Sequence, residues 1–137
     1  MTAVNDFNQR IIAEFRANEG KVGGPFAGAP MLLLSTTGAK SGQRRTTPLV
    51  YLPDGDRFII FASKGGAPQH PSWYHNLVAH PDTMVEVGTE TIPVTATVIT
   101  GEERDQLYAK QAGLRPAFGE YQAKTTRRIP VVALQRR

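Results

Sequence analysis

The sequence predicts an α+β chain in which about six mostly antiparallel strands form a small β-barrel, with an N-terminal helix and short helices inserted between strands. Three observations predict it. Apolar residues recur at helical spacing near the N-terminus. From Met31 onward, runs of strand length are separated by turn residues such as Pro53-Asp54-Gly55-Asp56 and Gly88-Thr89-Glu90. Later helical stretches carry boundary signals: Pro71 opens and Pro81 ends one, and Thr100 with Glu103 forms a capping box that starts another. The length of 137 residues suits one domain over residues 1–137, and 40% hydrophobic content can fill a core.

Taken in order, Val4, Phe7, Ile11, Ile12 and Phe15 form the stripe of an amphipathic helix over about Asn5–Asn18, within an N-terminal segment of residues 1–20. Gly20 is its stop. The Gly/Pro stretch Gly20–Pro30 is expected to be a loop lying over a site. Strands are predicted at Met31–Thr36, Arg45–Leu52 and Arg57–Ala62, the last two paired as a hairpin through the Pro53–Asp56 turn. Phe58–Phe61 is continuously apolar, as in a strand buried on both faces. Ser63-Lys64-Gly65-Gly66 breaks it, Pro71 opens a helix over Ser72–Ala79, and Pro81 ends it. Strands follow at Thr83–Val87 and Ile92–Ile99. In the second, Ile92, Val94, Ala96 and Val98 face a core while the alternate residues face water. Thr100 and Glu103 form a capping box for a helix to about Ala112; a helical piece at Ala117–Lys124 and a strand at Ile129–Leu134 complete the chain.

Composition narrows the function classes. No cysteine is present, so disulfides and thiolate chemistry are excluded. No apolar run is long enough to span a membrane and no signal peptide is read, so the expected location is cytoplasmic. The net charge of +4 fits an anionic small ligand or nucleic acid. Nucleic acid is not expected, because no recognisable nucleic-acid fold signature accompanies the basic residues and a hairpin interrupts them. His70, His75 and His80 lie five residues apart. That spacing turns by about 140° beyond a full rotation on a helix, so they share no face and no metal site is expected. No G-x-S-x-G elbow or paired-carboxylate arrangement stands out. The lack of a protein nucleophile points to chemistry carried by a bound cofactor.

Two stretches carry that reading. Leu32–Val50 runs from an apolar strand through Gly38, Lys40, Ser41 and Gly42 into Arg44-Arg45 and a second extended run. Glycines let backbone N–H groups converge on an anion, and Lys and Arg supply charge. The order Gly-Ala-Lys-Ser-Gly before an extended segment is not a nucleotide-triphosphatase loop, which needs a helix there. The second stretch, Ala62–Leu77, leaves a strand at Ser63-Lys64-Gly65-Gly66 and enters a helix whose N-terminus favours negative charge. Trp73 suits the core; Tyr74 and Asn76 are expected to reach a ligand.

The joint pattern Thr36-Thr37-Gly38-Ala39-Lys40-Ser41-Gly42-Gln43-Arg44-Arg45, Pro48-Leu49, Ala62-Ser63-Lys64-Gly65-Gly66, Pro71-Ser72-Trp73-Tyr74-His75-Asn76-Leu77 and Ile129-Pro130-Val131 resembles the deazaflavin-dependent nitroreductase family. These are split β-barrel reductases that use coenzyme F420, and the resemblance covers nearly the whole chain in order. It implies that Ala39, Lys40 and Ser41, with Arg45, hold the phosphate side of the cofactor. It implies that Thr46, Thr47, Pro48, Leu49 and Val50, with Phe61, Ala62, Ser63 and Lys64, line ring and tail. Ser72, Trp73, Tyr74, His75 and Asn76 join them from the helix start. The family carries tyrosines beside the ring in its C-terminal helical piece. Tyr121 matches one, Phe118 stands where another falls, and a third falls near Arg115.

The function so implied is hydride transfer from reduced F420 to a flat, electron-poor acceptor, a quinone or a nitroaromatic. Ser63 and Tyr121 are the catalytic candidates: Ser63 hydrogen-bonds near the ring or acceptor, and Tyr121 donates a hydrogen bond or closes the pocket. A location peripheral to the membrane follows where the acceptor is a lipid quinone. The alternatives are an FMN-dependent split-barrel reductase and a non-catalytic carrier of F420 or lipid.

Overall fold

A computed structural model of the protein describes residues 3–23 and 28–137. The chain runs α1 (Ala3–Ala17), β1 (Met31–Thr37), β2 (Arg44–Val50), β3 (Leu52–Asp54), β4 (Arg57–Phe61), α2 (Ser72–Ala79), β5 (Asp82–Val87), β6 (Glu90–Ile99), α3 (Gly101–Leu114), α4 (Ala117–Ala123) and β7 (Val131–Arg136). All strands join one antiparallel seven-stranded sheet in the order β2-β1-β5-β6-β7-β4-β3. The expected barrel is therefore present with one strand more than the sequence suggested.

The extra strand comes from the predicted run Arg45–Leu52, which divides at Tyr51. Residues up to Val50 pair with β1, and Leu52–Asp54 pair with β4. β2 and β3 thus stand at opposite edges of the sheet with a single residue between them. That linkage is possible only if the sheet curls until its edges meet, since consecutive Cα atoms lie about 3.8 Å apart. Tyr51 is fixed by its N–H donating to Pro30 O at 3.1 Å and by an edge-on contact with Phe58 at 5.3 Å. The Pro53–Asp56 turn does make a hairpin, with Gly55 at φ +61, but a short one confined to β3 and β4.

The curl creates two apolar layers and a patch. Leu32 and Leu34 near one edge share an interior cluster with Phe58 and Ile60 near the other, plugged by Trp73 and Leu77 of α2. On the outer face Ile59, Phe61, Val131 and Ala133 pack beneath Tyr108 of α3, with Phe118 and Tyr121 of α4 against them. β4 is accordingly buried on both faces, as its apolar run predicts. Ile11, Ile12 and Phe15 of α1 cover Met31 and Leu33. Each fully buried Leu, Ile or Phe contributes roughly 1.5–3 kcal/mol.

Three local expectations are corrected. In β6 the residues Ile92 to Val98 do alternate and Ala96 packs against the interior cluster, but Val98 lies at an open apolar groove with Leu77 and Val132 and stays 39% exposed. Its opposite face is not wet throughout, because Ile99 is buried in the outer layer below α3. α3 begins after Thr100, yet no side-chain cap forms; Glu103 instead accepts from Arg57 Nη2 at 3.4 Å, and the helix continues to Leu114. At the end of α1 it is Glu19, at φ +57, that first takes the left-handed conformation, with Gly20 N donating to Phe15 O at 2.8 Å. Gly20 then lies so close to Gly88 that a Cβ would sit 2.7 Å from the Gly88 Cα. Residues 24–27 of the expected loop Gly20–Pro30 lie outside the described residues, as do Met1 and Thr2. Among the described residues no helix is long and apolar enough to cross a membrane.

Candidate functional site

The β1–β2 hairpin carries the anion-suited turn. Gly38 N donates to Gln43 O at 2.8 Å and Gly42 N to Gly38 O at 2.9 Å, which closes the turn. A Cβ on Gly38 would lie 2.4 Å from Ser41 Oγ, so a glycine is required there. Asn76 of α2 pins the turn from below: its Oδ1 accepts from Ala39 N at 2.9 Å and its Nδ2 donates to Thr36 Oγ1 at 3.2 Å. Its polar ends are thus engaged in positioning the turn. Among the described residues the N–H groups of Lys40 and Ser41 have no protein acceptor.

These groups line a cleft of about 510 Å³ formed by Gly38, Ala39, Lys40, Ser41 and Arg45 on the hairpin and Ser72, His75 and Asn76 at the start of α2. Free amides, two cations and a helix N-terminus converge there, the combination that binds anions. A second cleft of about 530 Å³ meets the first at Ser72. Thr47, Pro48, Leu49 and Val50 form one part of its lining, and Phe61, Ser63, Lys64 and Trp73 another. Phe118 and Tyr121 of α4 line it as well. Trp73 therefore serves both the core, at 7% exposure, and the cleft wall. Neither lining contains an aspartate or glutamate, and Lys40, Arg45, Lys64 and Arg115 have no carboxylate partner among the described residues. Elsewhere Arg16, Arg57, Arg104 and Arg128 are paired with acids.

Three residues named from the sequence line neither cleft. Thr46 sits in the ladder opposite Ser35. Ala62 is fully buried, its N–H donating to Pro130 O at 2.9 Å. Tyr74 faces the apolar groove shared with Leu77, Val78 and Val98. Conversely, Asn8, Met31 and Ala117 line the larger cleft although sequence reasoning passed over them. Asn8 did leave a signal: it lies at helical spacing from Ile11, Ile12 and Phe15, a polar residue on an otherwise apolar stripe.

The loop between β4 and α2 is shaped from a distance by Arg127. Its Nη2 donates to Ser63 O at 2.7 Å, its Nε to Ala67 O at 2.8 Å, and its Nη1 to Ala62 O at 3.2 Å. Nη1 also meets His70 Nδ1 at 2.8 Å. Burial, the Arg127 charge and the nearby His75 push the His70 pKa down, which suits a neutral ring accepting from Arg127. The loop then makes one 3-10 turn, Lys64–Gly66, with Lys64 at φ +48 and Gly66 at φ +85. A Cβ on Gly66 would lie 2.8 Å from Tyr121 O, so α4 docks against bare backbone. α4 is tied in turn to α3 and the chain before β7. Buried Arg104 donates to Ile129 O through Nη2 at 2.7 Å and to Gln122 Oε1 at 2.7 Å. Tyr108 OH donates to Phe118 O at 2.6 Å.

A family model described as F420H(2)-dependent quinone reductase matches residues 8–136. The chain belongs to the F420H(2)-dependent quinone reductase family. It is 45% identical over 131 residues to an F420H(2)-dependent quinone reductase of Mycobacterium tuberculosis, covering 91% of this chain and 87% of that one. Among solved structures it resembles an F420-H2 dependent reductase, FDR-A, at 42% identity and a TM-score of 0.70, over 77% of this chain and 94% of that one. A second solved chain, described as a domain-swapped dimer, matches at 37% identity and a TM-score of 0.72, over 97% of this chain and all of the other. The haem storage protein HutZ of Vibrio cholerae shares the fold at a TM-score of 0.60 and 16% identity, over 92% of this chain and 87% of its own. Family membership favours F420 over the FMN alternative, and the split-barrel architecture agrees with the fold of these relatives.

Proposed function

We propose that this quinone-reductase family member binds reduced F420 across both clefts and passes two electrons to a quinone. The observation that carries this is the meeting, at Ser72, of a cationic cleft with an apolar one, neither lined by an acid. An anionic tail fits the Lys40 and Ser41 amides, the Lys40 and Arg45 side chains and the start of α2. A flat ring fits between Thr47–Val50 and Phe61–Lys64, and when bound it supplies the hydride. The chain's own residues position, desolvate and hydrogen-bond. Trp73, Phe61 and Phe118 exclude water from the cleft. The Ser63 hydroxyl and the Tyr121 phenol line the same cleft and would offer hydrogen bonds to the ring or the acceptor. Nitroaromatics are a second acceptor class for the same flat space. This reading implies a cytoplasmic setting, at the membrane surface when the quinone is a lipid.

The purified protein is expected to oxidise reduced F420 with menadione, followed by loss of the reduced-cofactor signal, and to use NADPH or reduced FMN poorly. If reduced F420 is bound but no quinone or nitroaromatic oxidises it, the reductase reading gives way to a carrier. Tyr121→Phe is expected to lower kcat/KM about fivefold, the loss of one neutral hydrogen bond of about 1 kcal/mol, and to leave F420 affinity unchanged. Equal losses in affinity and turnover would move Tyr121 from the acceptor to the cofactor.

A further inference from the structure

The larger cleft holds a cation that an anionic tail in the smaller cleft does not account for. Arg115 caps the C-terminus of α3, its N–H donating to Gln111 O at 2.8 Å. Its guanidinium donates from Nη2 to Gly28 O at 3.3 Å, a neutral partner that leaves the charge uncompensated. Ala29 follows Gly28 into the cleft lining, beside Asn8 of α1 and Ala117 of α4. Neither α1, α4 nor residues 28–29 contribute to the tail cleft. Arg115 therefore charges a part of the cleft built by elements that the tail cleft does not use. Ser63 and Tyr121 in the same lining offer hydroxyls, and Lys64, on the loop after β4, is its other cation.

We infer that Arg115 selects the acceptor by charge: its guanidinium binds the edge of the quinone where negative charge resides or develops, so the site favours quinones that are anionic at that edge. This rests on the quinone-reductase reading. A quinone accepts two electrons and one proton as hydride, becoming a hydroquinone monoanion, and a solvent proton then completes the quinol. A guanidinium at the oxygen that gains the charge stabilises that product and the transition state leading to it. The same fork geometry suits a sulfonate or an ionised hydroxyl already present on the acceptor.

The single tryptophan of the chain, Trp73, lines this cleft and reports binding directly. The test titrates 1,4-naphthoquinone-2-sulfonate and neutral menadione into the wild type, Arg115→Gln, Arg115→Lys and Lys64→Gln by Trp73 fluorescence, with F420 affinity and the unfolding midpoint measured for each. In Arg115→Gln the dissociation constant of the sulfonate is expected to rise about tenfold, as for a lost charge-assisted hydrogen bond, with menadione little changed. Arg115→Lys should keep most of the sulfonate preference. In steady state the sulfonate-to-menadione ratio of kcat/KM should fall in step with binding. An unchanged ratio in Arg115→Gln, or a shift found in Lys64→Gln instead, overturns the inference. A loss of F420 affinity equal to the loss of sulfonate affinity also overturns it, by placing Arg115 on the cofactor. Arg115-dependent sulfonate binding in a wild-type protein that reduces no quinone would sustain charge selection and sink the reductase reading.

Discussion

Replacing Arg127 by alanine is expected to lower folding stability by about 2–3 kcal/mol, because carbonyls that had accepted from a charged donor are left without it. The fork of one guanidinium serves Ala62, Ser63 and Ala67, all on the loop that carries Ser63 and Lys64 into the cleft. F420 affinity should therefore fall as well, although Arg127 lines neither cleft. Arg127→Lys should recover only part of both losses, since an ammonium is a single point charge without the planar fork. The control is Arg128→Ala: that side chain is 60% exposed and pairs with Asp105 at the surface, where solvent screens the pair and its loss should change little. Urea midpoints that are equal for Arg127→Ala and Arg128→Ala would refute the assignment. His70 adds a pH dependence of defined sign. Its pKa is lowered in the folded protein, so its contribution is present above the ordinary histidine range and is lost as pH falls through the folded value. His70→Gln, which can still accept from Arg127 but does not titrate, should flatten that dependence.

The largest effect on binding is expected from Lys40→Ala combined with Arg45→Ala. Each removes a charge-assisted hydrogen bond of about 1.5–3 kcal/mol, so each single change should raise the F420 dissociation constant about tenfold or more. The double change should approach the product, provided the two cations meet different oxygens. Affinity in the wild type should also fall as salt rises, because both side chains stand at an exposed rim, and the salt dependence should shrink in the double variant. Lys110→Ala on the exposed face of α3 is a suitable control. Arg136 and Arg137 are not, although they look like a solvated basic tail in the sequence. Arg136 stacks on Phe58 at 5.2 Å, and Arg137 donates to Val94 O at 3.2 Å and Thr83 O at 3.1 Å. Fluorescence titrations at low and high salt decide the matter; an unaltered dissociation constant in the double variant would remove the hairpin turn from the cofactor.

What was legible in the sequence was local. The turn from Gly38 to Gln43, the buried run Phe58–Phe61 and the helix opened by Pro71 each follow from glycine geometry, apolar periodicity or proline's fixed φ. What was hidden depends on pairing across the chain. Arg45 to Leu52 reads as one extended segment because nothing at Tyr51 breaks it; the division exists only because its two parts hydrogen-bond to different partners. Nothing near them in the sequence marks Arg104 and Arg127 as anchors, since their acceptors are carbonyls far away in sequence. The cleft residues Asn8 and Ala117 were missed for the same reason: their roles arise only when α1 and α4 meet β2 and the β4–α2 loop.

The position of β7 has a consequence for how the molecule is made. β7 is flanked by β6 on one side and β4 on the other, and among the described residues no other strand joins the β2-β1-β5-β6 group to the β4-β3 hairpin through hydrogen bonds. During synthesis the first group can pair as soon as β6 emerges, but the hairpin has no sheet to join until residues 131–136 appear. The larger cleft draws on both pieces, with Thr47–Val50 of β2 in one part of its lining and Phe61 of β4 in another, so a nascent chain halted before Val131 has the hairpin turn for an anion without the wall that completes the larger cleft. Long-range closure of this kind folds slowly relative to local pairing. The two-cleft site is therefore complete only once synthesis has passed β7, however early its cationic turn is exposed.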